Sequence, residues 1–229
     1  CKRRRCFNLA LEPAAPWGRV EGNDGAAGLN AMAIGPRAVA SGETSVAIGY
    51  AARVNAGADS GVAIGHDVSA RAIESTVIGS RSHAYDQAGV AIGHEAVSRG
   101  ENSIVMGTGA EADPTSSSSV DNAIVIGTRA ESTADDGVAI GQEAQADGVR
   151  SVAQGFHAHT EASDSQAFGT RAHATGVSAQ ASGTDATASG TNAQASGTRA
   201  SASGVNAIAS GTDARGYATD GIAMGTGAV

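Results

Sequence analysis

Small and branched residues recur along this chain with a fixed phase. The phrase Val-Ala-Ile-Gly, or a close variant, repeats so that eleven of the thirteen intervals between its glycines equal 14, and the other two are 16 and 20. Each repeat divides into two halves. In each half, small and other residues alternate over a few positions, and a glycine and two spacer residues follow. The alternation is strand periodicity and the spacers indicate a tight bend. The pattern predicts an all-β, parallel β-roll (solenoid) of 14-residue turns. The motif glycines are Gly35, Gly49, Gly65, Gly79, Gly93, Gly107, Gly127, Gly141, Gly155, Gly169, Gly183, Gly197, Gly211 and Gly225.

The two half-repeats share alanine at alternate positions and differ at the positions between. One half carries branched residues there, such as Val46 and Ile48, and the other is mostly polar, as at His159 and Glu161. The shared face must be the one that the two strands have in common, so alanine is predicted to fill the interior and the Val/Ile positions to point outward. The opposite arrangement, with Val and Ile inside a monomer, stays open because these residues are more often fully buried than alanine.

An outward apolar stripe would form a continuous exposed patch, and such patches mark association. We therefore expect the stripe to be buried between copies of the chain around a symmetry axis. Where the stripe carries amides, we expect inter-chain hydrogen bonds or axial water. The predicted interface, called the apolar stripe below, consists of Val46, Ile48, Val62, Ile64, Ile78, Val90, Ile92, Ile104, Met106, Ile124, Ile126, Val138, Ile140, Val152, Gln180, Gln194, Ile222 and Met224.

The spacing of charged residues also supports the stacking of successive 14-residue turns, called coils below. Residues two positions after the motif glycines tend to alternate in charge sign from coil to coil, as in Arg171, Asp185 and Arg199. Stacked strands lie ~4.8 Å apart, where opposite charges pair. We predict contacts between neighbours that are one repeat apart in the sequence.

Composition excludes several classes of protein. Only three Leu and seven aromatic residues occur, which argues against a helix bundle or a doubly wound α/β domain. No apolar run is long enough for a membrane span, so we expect this part of the protein not to be membrane-embedded. The net charge of −8, with a single Lys, argues against nucleic acid as a partner.

Candidate chemistry is sparse. The common hydrolase, zinc-protease and phosphate-loop motifs are absent, so we expect no catalytic site, no enzymatic activity and no cofactor. His159 and His173 are one repeat apart and share an outward face, with His157 nearby. A transition metal or a pH-dependent contact could use them, but we expect a solvated face without metal, since no third ligand of fixed geometry is evident. Cys1 and Cys6 would allow a local or inter-chain disulfide, and a fragment end without function is the favoured interpretation.

Segments such as Thr44-Ser45-Val46-Ala47-Ile48-Gly49 and Asp136-Gly137-Val138-Ala139-Ile140-Gly141 resemble the head repeats of trimeric autotransporter adhesins, the YadA-like head family. The resemblance implies a left-handed roll, a parallel homotrimer and display on the outer membrane at the surface of a Gram-negative bacterium. It also implies adhesion to host cells or extracellular matrix, a virulence trait in pathogens. The ligand-binding residues stay unassigned.

The repeat boundaries divide the chain. Residues 1–28 are predicted to be a non-repetitive N-terminal lead-in or cap, and residues 29–229 the head β-roll, with insertions near 55–59 and 111–121 that should form outer loops. Two alternatives remain: a left-handed β-helix enzyme of the hexapeptide acyltransferase type, which a 14-residue coil argues against, and an ice-binding solenoid that uses the Thr column from Thr170 to Thr226.

Overall fold

The structure, a computed structural model, describes residues 7–8, 25–112 and 120–229 of the chain. The predictions for Cys1, Cys6 and most of the second insertion lie outside the described residues. The chain divides into two compact units, Cys1–Ala110 and Glu111–Val229. The described residues contain no helix, and therefore none long and apolar enough to cross a membrane.

The first unit contains two parallel sheets. Odd-numbered strands form the first sheet and even-numbered strands the second, each paired in sequence order. The strands are β1 (Phe7–Asn8), β2 (Gly25–Ala26), β3 (Met32–Ile34), β4 (Val39–Ala40), β5 (Val46–Ile48), β6 (Arg53–Val54), β7 (Val62–His66), β8 (Ser69–Ala70), β9 (Thr76–Ser80), β10 (His83–Ala84), β11 (Val90–His94), β12 (Val97–Ser98) and β13 (Ile104–Met106).

The second unit is built in the same way, with even-numbered strands in one sheet and odd-numbered strands in the other. Its strands are β14 (Glu111–Ala112), β15 (Ile124–Ile126), β16 (Glu131–Ser132), β17 (Val138–Ile140), β18 (Gln145–Ala146), β19 (Val152–Gln154), β20 (His159–Thr160), β21 (Gln166–Phe168), β22 (His173–Ala174), β23 (Gln180–Ser182), β24 (Thr187–Ala188), β25 (Gln194–Ser196), β26 (Ser201–Ala202), β27 (Ile208–Ser210), β28 (Arg215–Gly216) and β29 (Ile222–Met224).

Strand register follows the sequence repeat. Ala139 pairs with Ala153, one ordinary repeat further on, whereas Val46 pairs with Val62 across the first insertion, a repeat longer by two. The two additional residues lie in the bend between β6 and β7, where a Cβ on Gly57 would meet nothing within 4 Å. A parallel solenoid thus absorbs the short insertion in a bend without losing register in the strands.

Alanine fills the interior of both sheets, as predicted. Ala47 and Ala63 in the first sheet, and Ala84 in the second, are 0% exposed. The alternative with Val and Ile of the stripe inside is wrong, because the stripe residues are half-buried or exposed whereas the residues between them are buried.

The prediction of an alanine interior was incomplete in two respects. Val77 and Val105 are buried in the first unit, where the motif has valine in place of its alanine. Serine and threonine also occur inside. Ser165 Oγ donates to the Ala162 carbonyl at 2.6 Å, and Thr160 Oγ1 donates to Ser151 Oγ at 2.8 Å, whereas Ser98 Oγ is buried without a hydrogen-bond partner. At Ser165 and Thr160, short hydroxyls therefore replace alanine without leaving unpaired buried oxygens.

Both bends of a coil place a residue in the left-handed region. After the first sheet this is the second residue past the motif glycine, such as Arg171 (φ 54°), and after the second sheet it is a residue such as Asp164 (φ 60°). The motif glycine itself is required by close approach: at Gly79 (φ +137°), an added Cβ would lie 1.8 Å from the carbonyl oxygen of Gly93. Neighbouring coils therefore approach too closely at this bend for any side chain.

Candidate functional site: the outer faces of the sheets

The apolar stripe lies on the outer face of the first sheet in both units. In each three-residue strand the middle residue points inward and its two neighbours point outward, as in Val46, Ala47 and Ile48. All eighteen predicted residues, including those in the five-residue strands β7, β9 and β11, flank an inward residue and point outward, ten of them half-buried and eight exposed. Within each unit the fold places them side by side along the sheet, since residues of neighbouring coils are in register, as Ile64 is with Ile78.

The stripe changes from apolar to polar along the second unit. Val138 is in register with Val152, and further along Gln166, Gln180 and Gln194 follow one another on adjacent strands. Both Gln180 and Gln194 are exposed in the single chain. Their amides are thus available to partners outside this chain, and the predicted inter-chain hydrogen bonds stay a prediction.

Charged ladders run along the bend that follows the first sheet. Arg171 Nε donates to Asp185 at 2.6 Å and Arg199 Nε to Asp213 at 2.7 Å, each with a second hydrogen bond from Nη2. The pairs Arg81–Glu95 and Arg129–Glu143 follow the same spacing. The predicted contact between charges one repeat apart is therefore confirmed.

These ion pairs shift the ionisation of their members. The hydrogen bonds from Arg171 hold the pKa of Asp185 below its ordinary value, and those from Arg199 do the same for the pKa of Asp213. All four side chains are largely exposed, so solvent screens the pairs and each adds little to stability.

The outer face of the second sheet is mostly polar, with valine at Val39 and Val97. In the second unit it carries Asp147, His159, Glu161 and His173, called the histidine–carboxylate cluster below. His159 Nε2 lies 2.9 Å from Asp147 Oδ2, and His173 Nε2 lies 3.0 Å from Glu161 Oε1. The hydrogen bond to Asp147 raises the pKa of His159, and the same bond lowers the pKa of Asp147.

The spacing of one repeat identifies the two histidines of this cluster but not its carboxylates. Each histidine contacts the acid 12 residues before it. The residue 14 positions before it is the backbone partner in the preceding coil, and the acid lies two positions after that partner. A search for partners at a spacing of 12, in addition to 14, would have found both pairs. His157 is separate: it pairs with Glu143 at 2.8 Å.

The second sheet of the first unit has a different polar surface. The guanidinium carbons of Arg71 and Arg99 lie 4.3 and 5.1 Å from the ring centroid of Tyr85. Beside them, burial and the charge of Arg71 lower the pKa of His83, whose Nδ1 is buried without a hydrogen-bond partner. Outer faces of the second sheet therefore vary from coil to coil, whereas the first sheet keeps one character over long stretches.

The repeats of the chain match a known family. The family model described as "YadA head domain repeat (2 copies)" matches residues 26–52, 70–96, 87–110, 98–120, 121–144, 132–158, 146–172, 181–202 and 202–228. The chain belongs to the YadA head family. This is a family of surface-exposed, non-enzymatic autotransporter adhesins of Gram-negative bacteria. No curated protein matches the chain with significant similarity.

Proposed function

We propose that this chain is the head of a trimeric surface adhesin that attaches a Gram-negative bacterium to host cells or extracellular matrix. Three parallel chains bury their apolar stripes against one another, and their outer loops and second sheets face the ligand. The left-handed sense of the roll, display on the outer membrane and a role in virulence belong to the same proposal, which rests on membership of the YadA head family.

The observation that carries the proposal is the exposure of the apolar stripe in a single chain. Ile78, Ile104 and Ile126 are each 38% exposed, whereas the inward valine beside each of them is 0% exposed. A hydrophobic side chain is stabilised by about 1.5–3 kcal/mol when fully buried, and each half-exposed Val or Ile has part of this still to gain. A row of such residues favours association between chains.

The amides of Gln180 and Gln194 fit a symmetric assembly. Around a three-fold axis, each would meet its own copies on the other two chains, and an amide has both donors and an acceptor to satisfy such contacts. A buried amide is costly without partners, so these coils would fix the register of the three chains.

The test is the mass in solution of the full chain and of two matched charge variants. Ile140→Glu introduces a carboxylate into the stripe, whereas Gln145→Glu introduces one on the outer face of the second sheet. We expect a trimer for the natural chain and for Gln145→Glu, and a monomer for Ile140→Glu, by light scattering after size exclusion. A natural chain that is folded and monomeric would refute the trimer.

Adhesion is tested with the same proteins against a panel of immobilised matrix proteins. A trimer presents each site three times, so avidity can exceed single-site affinity by about 10²–10⁴. We expect Ile140→Glu to lose apparent affinity by about 10² or more for any matrix protein that the natural chain binds. Failure of the trimer to bind any matrix protein or host cell would refute the adhesion function.

A further inference from the structure

The histidine–carboxylate cluster is built across three adjacent strands of one sheet. Gln145 is in register with His159, and His159 with His173. The two imidazole rings stack with centroids 4.9 Å apart and an interplanar angle of 11°. The backbone pairing of the strands thus fixes the separation of the rings, so the cluster does not depend on a flexible loop.

Three of its side chains place ligand atoms close together, and because the imidazole planes are nearly parallel, one ring must rotate for both lone pairs to point at one ion. Glu161 Oε1 lies 3.0 Å from His173 Nε2 and 3.9 Å from His159 Nδ1. One ligand atom from each of His159, Glu161 and His173 lies within 4.8 Å of the others. Zinc–ligand bonds of ~2.0–2.2 Å in a tetrahedron separate ligand atoms by about 3.4 Å, and the two observed separations bracket this value.

Asp147 completes the arrangement from the other side of His159. Its carboxylate accepts a hydrogen bond from Nε2 of His159 at 2.9 Å. A proton held at Nε2 leaves the lone pair of Nδ1 free, and Nδ1 is the nitrogen nearer Glu161. Carboxylates orient metal-binding histidines in this way. Glu161 is therefore a candidate third ligand, which the spacing of the histidines did not indicate. Asp147 is in place to orient His159.

The geometry points to a site for a divalent first-row transition-metal ion on His159, Glu161 and His173, with Asp147 as the positioning residue. Two imidazole nitrogens with one carboxylate oxygen suit Zn²⁺, Co²⁺, Ni²⁺ or Cu²⁺, and not the all-oxygen environment of Ca²⁺ or Mg²⁺. On binding, His173 carries its proton on Nδ1 and offers Nε2 to the metal. Water supplies the remaining position, because the cluster is open to solvent.

The matched control is the pair Glu143 and His157. This pair has the same residue types at 2.8 Å, but Arg129 also contacts Glu143 and no second histidine is placed beside it. The guanidinium occupies the carboxylate and repels a cation. His157→Gln therefore removes a histidine of the same unit without changing the proposed site.

The experiment is isothermal titration of ZnCl₂ alone into the full chain, without an affinity tag and with Cys1→Ser and Cys6→Ser, because thiols bind zinc independently. We expect one Zn²⁺ per chain, with affinity reduced at least tenfold in His159→Gln and in His173→Gln and unchanged in His157→Gln. Asp147→Asn should weaken binding by about 10–100-fold, as for other residues that orient a ligand.

A second measurement keeps the test independent of folding defects. Cu²⁺ bound to the natural chain should show hyperfine coupling to two nitrogens by electron paramagnetic resonance, and to one nitrogen in His173→Gln. Circular dichroism of each variant without metal verifies its fold. The inference is overturned if Zn²⁺ does not bind stoichiometrically, or if His159→Gln and His173→Gln bind as the natural chain does. Since the cluster lies on the second sheet, its failure would leave the proposed trimer untouched.

Discussion

The first and second sheets share one inner face and differ on their outer faces. Inside, both present small side chains, such as Ala139 and Ala146, at 0% exposure. Outside, the first sheet presents Val138 and Ile140 where the second presents Gln145 and Asp147. The interior therefore specifies the coil and is compatible with many exteriors, and the outer faces determine what each sheet can meet.

The interior is independent of the outer faces because its side chains are small and nearly the same in every coil. A side chain larger than the alanine and valine found inside would push directly against the other sheet, since close-packed interiors have little room to relax. The outer faces are not constrained in this way, and the second sheet varies from the arginines beside Tyr85 to the histidine–carboxylate cluster.

The largest effect should come from breaking the bend that both sheets share. Gly79→Ala places a Cβ 1.8 Å from the Gly93 carbonyl oxygen at φ +137°, so neighbouring coils must separate. We expect a loss of about 3 kcal/mol or more in the free energy of unfolding, from a clash with backbone added to strain. Gly57→Ala is the control: its φ is +82°, but nothing lies within 4 Å, so only about 1–2 kcal/mol of backbone strain is expected. Equal losses in urea unfolding would contradict the close approach of coils.

The next effect tests the shared inner face directly. Ala188 is 0% exposed, whereas Ser189, the next residue, is exposed. We expect Ala188→Leu to cost about 3 kcal/mol through overpacking and Ser189→Leu to change stability by less than about 0.5 kcal/mol. Both variants are compared by chemical denaturation. A tolerated leucine at Ala188 would mean that the two sheets can move apart.

The strands and the orientation of their faces could be predicted from sequence because the phase of the repeat is held over many coils. Alternation separates Ala47 from Ile48, and only one orientation lets both sheets share a face. Two features gave no such signal. Left-handed residues carry side chains as different as Arg171 and Ala88, so the preference of Asn and Asp for this conformation marks only some of them. The contact of His173 with Glu161 has a spacing of 12, which becomes recognisable in the sequence only when the offset between stacked coils is known.

A smaller change in stability is expected from replacing a left-handed residue in a bend between the sheets. Ala88 has φ 53° and no side chain beyond Cβ, so its left-handed conformation has no compensating contact. An L-residue there costs about 1–2 kcal/mol, and glycine loses about 0.5–1 kcal/mol more entropy on folding than alanine. We expect Ala88→Gly to stabilise the chain by up to about 1 kcal/mol. Ala84→Gly, inside β10, should destabilise it, because a buried methyl is lost. Thermal unfolding that gives the same sign for both variants would contradict this account.

The smallest expected change in stability comes from the ion pairs in the bend that follows the first sheet. The pKa of Asp185 is lowered by Arg171 and that of Asp213 by Arg199, so each carboxylate favours the folded state when ionised. Their contribution is present above the unfolded pKa of about 3.9 and is lost as the pH falls through the folded value. Melting temperatures of the natural chain and of Asp185→Asn/Asp213→Asn should therefore differ slightly near neutral pH and converge below about pH 3. High salt should reduce the difference at neutral pH, since these pairs are exposed. A difference that is the same at all pH values would show that the two asparagines perturb packing, and not the ion pairs.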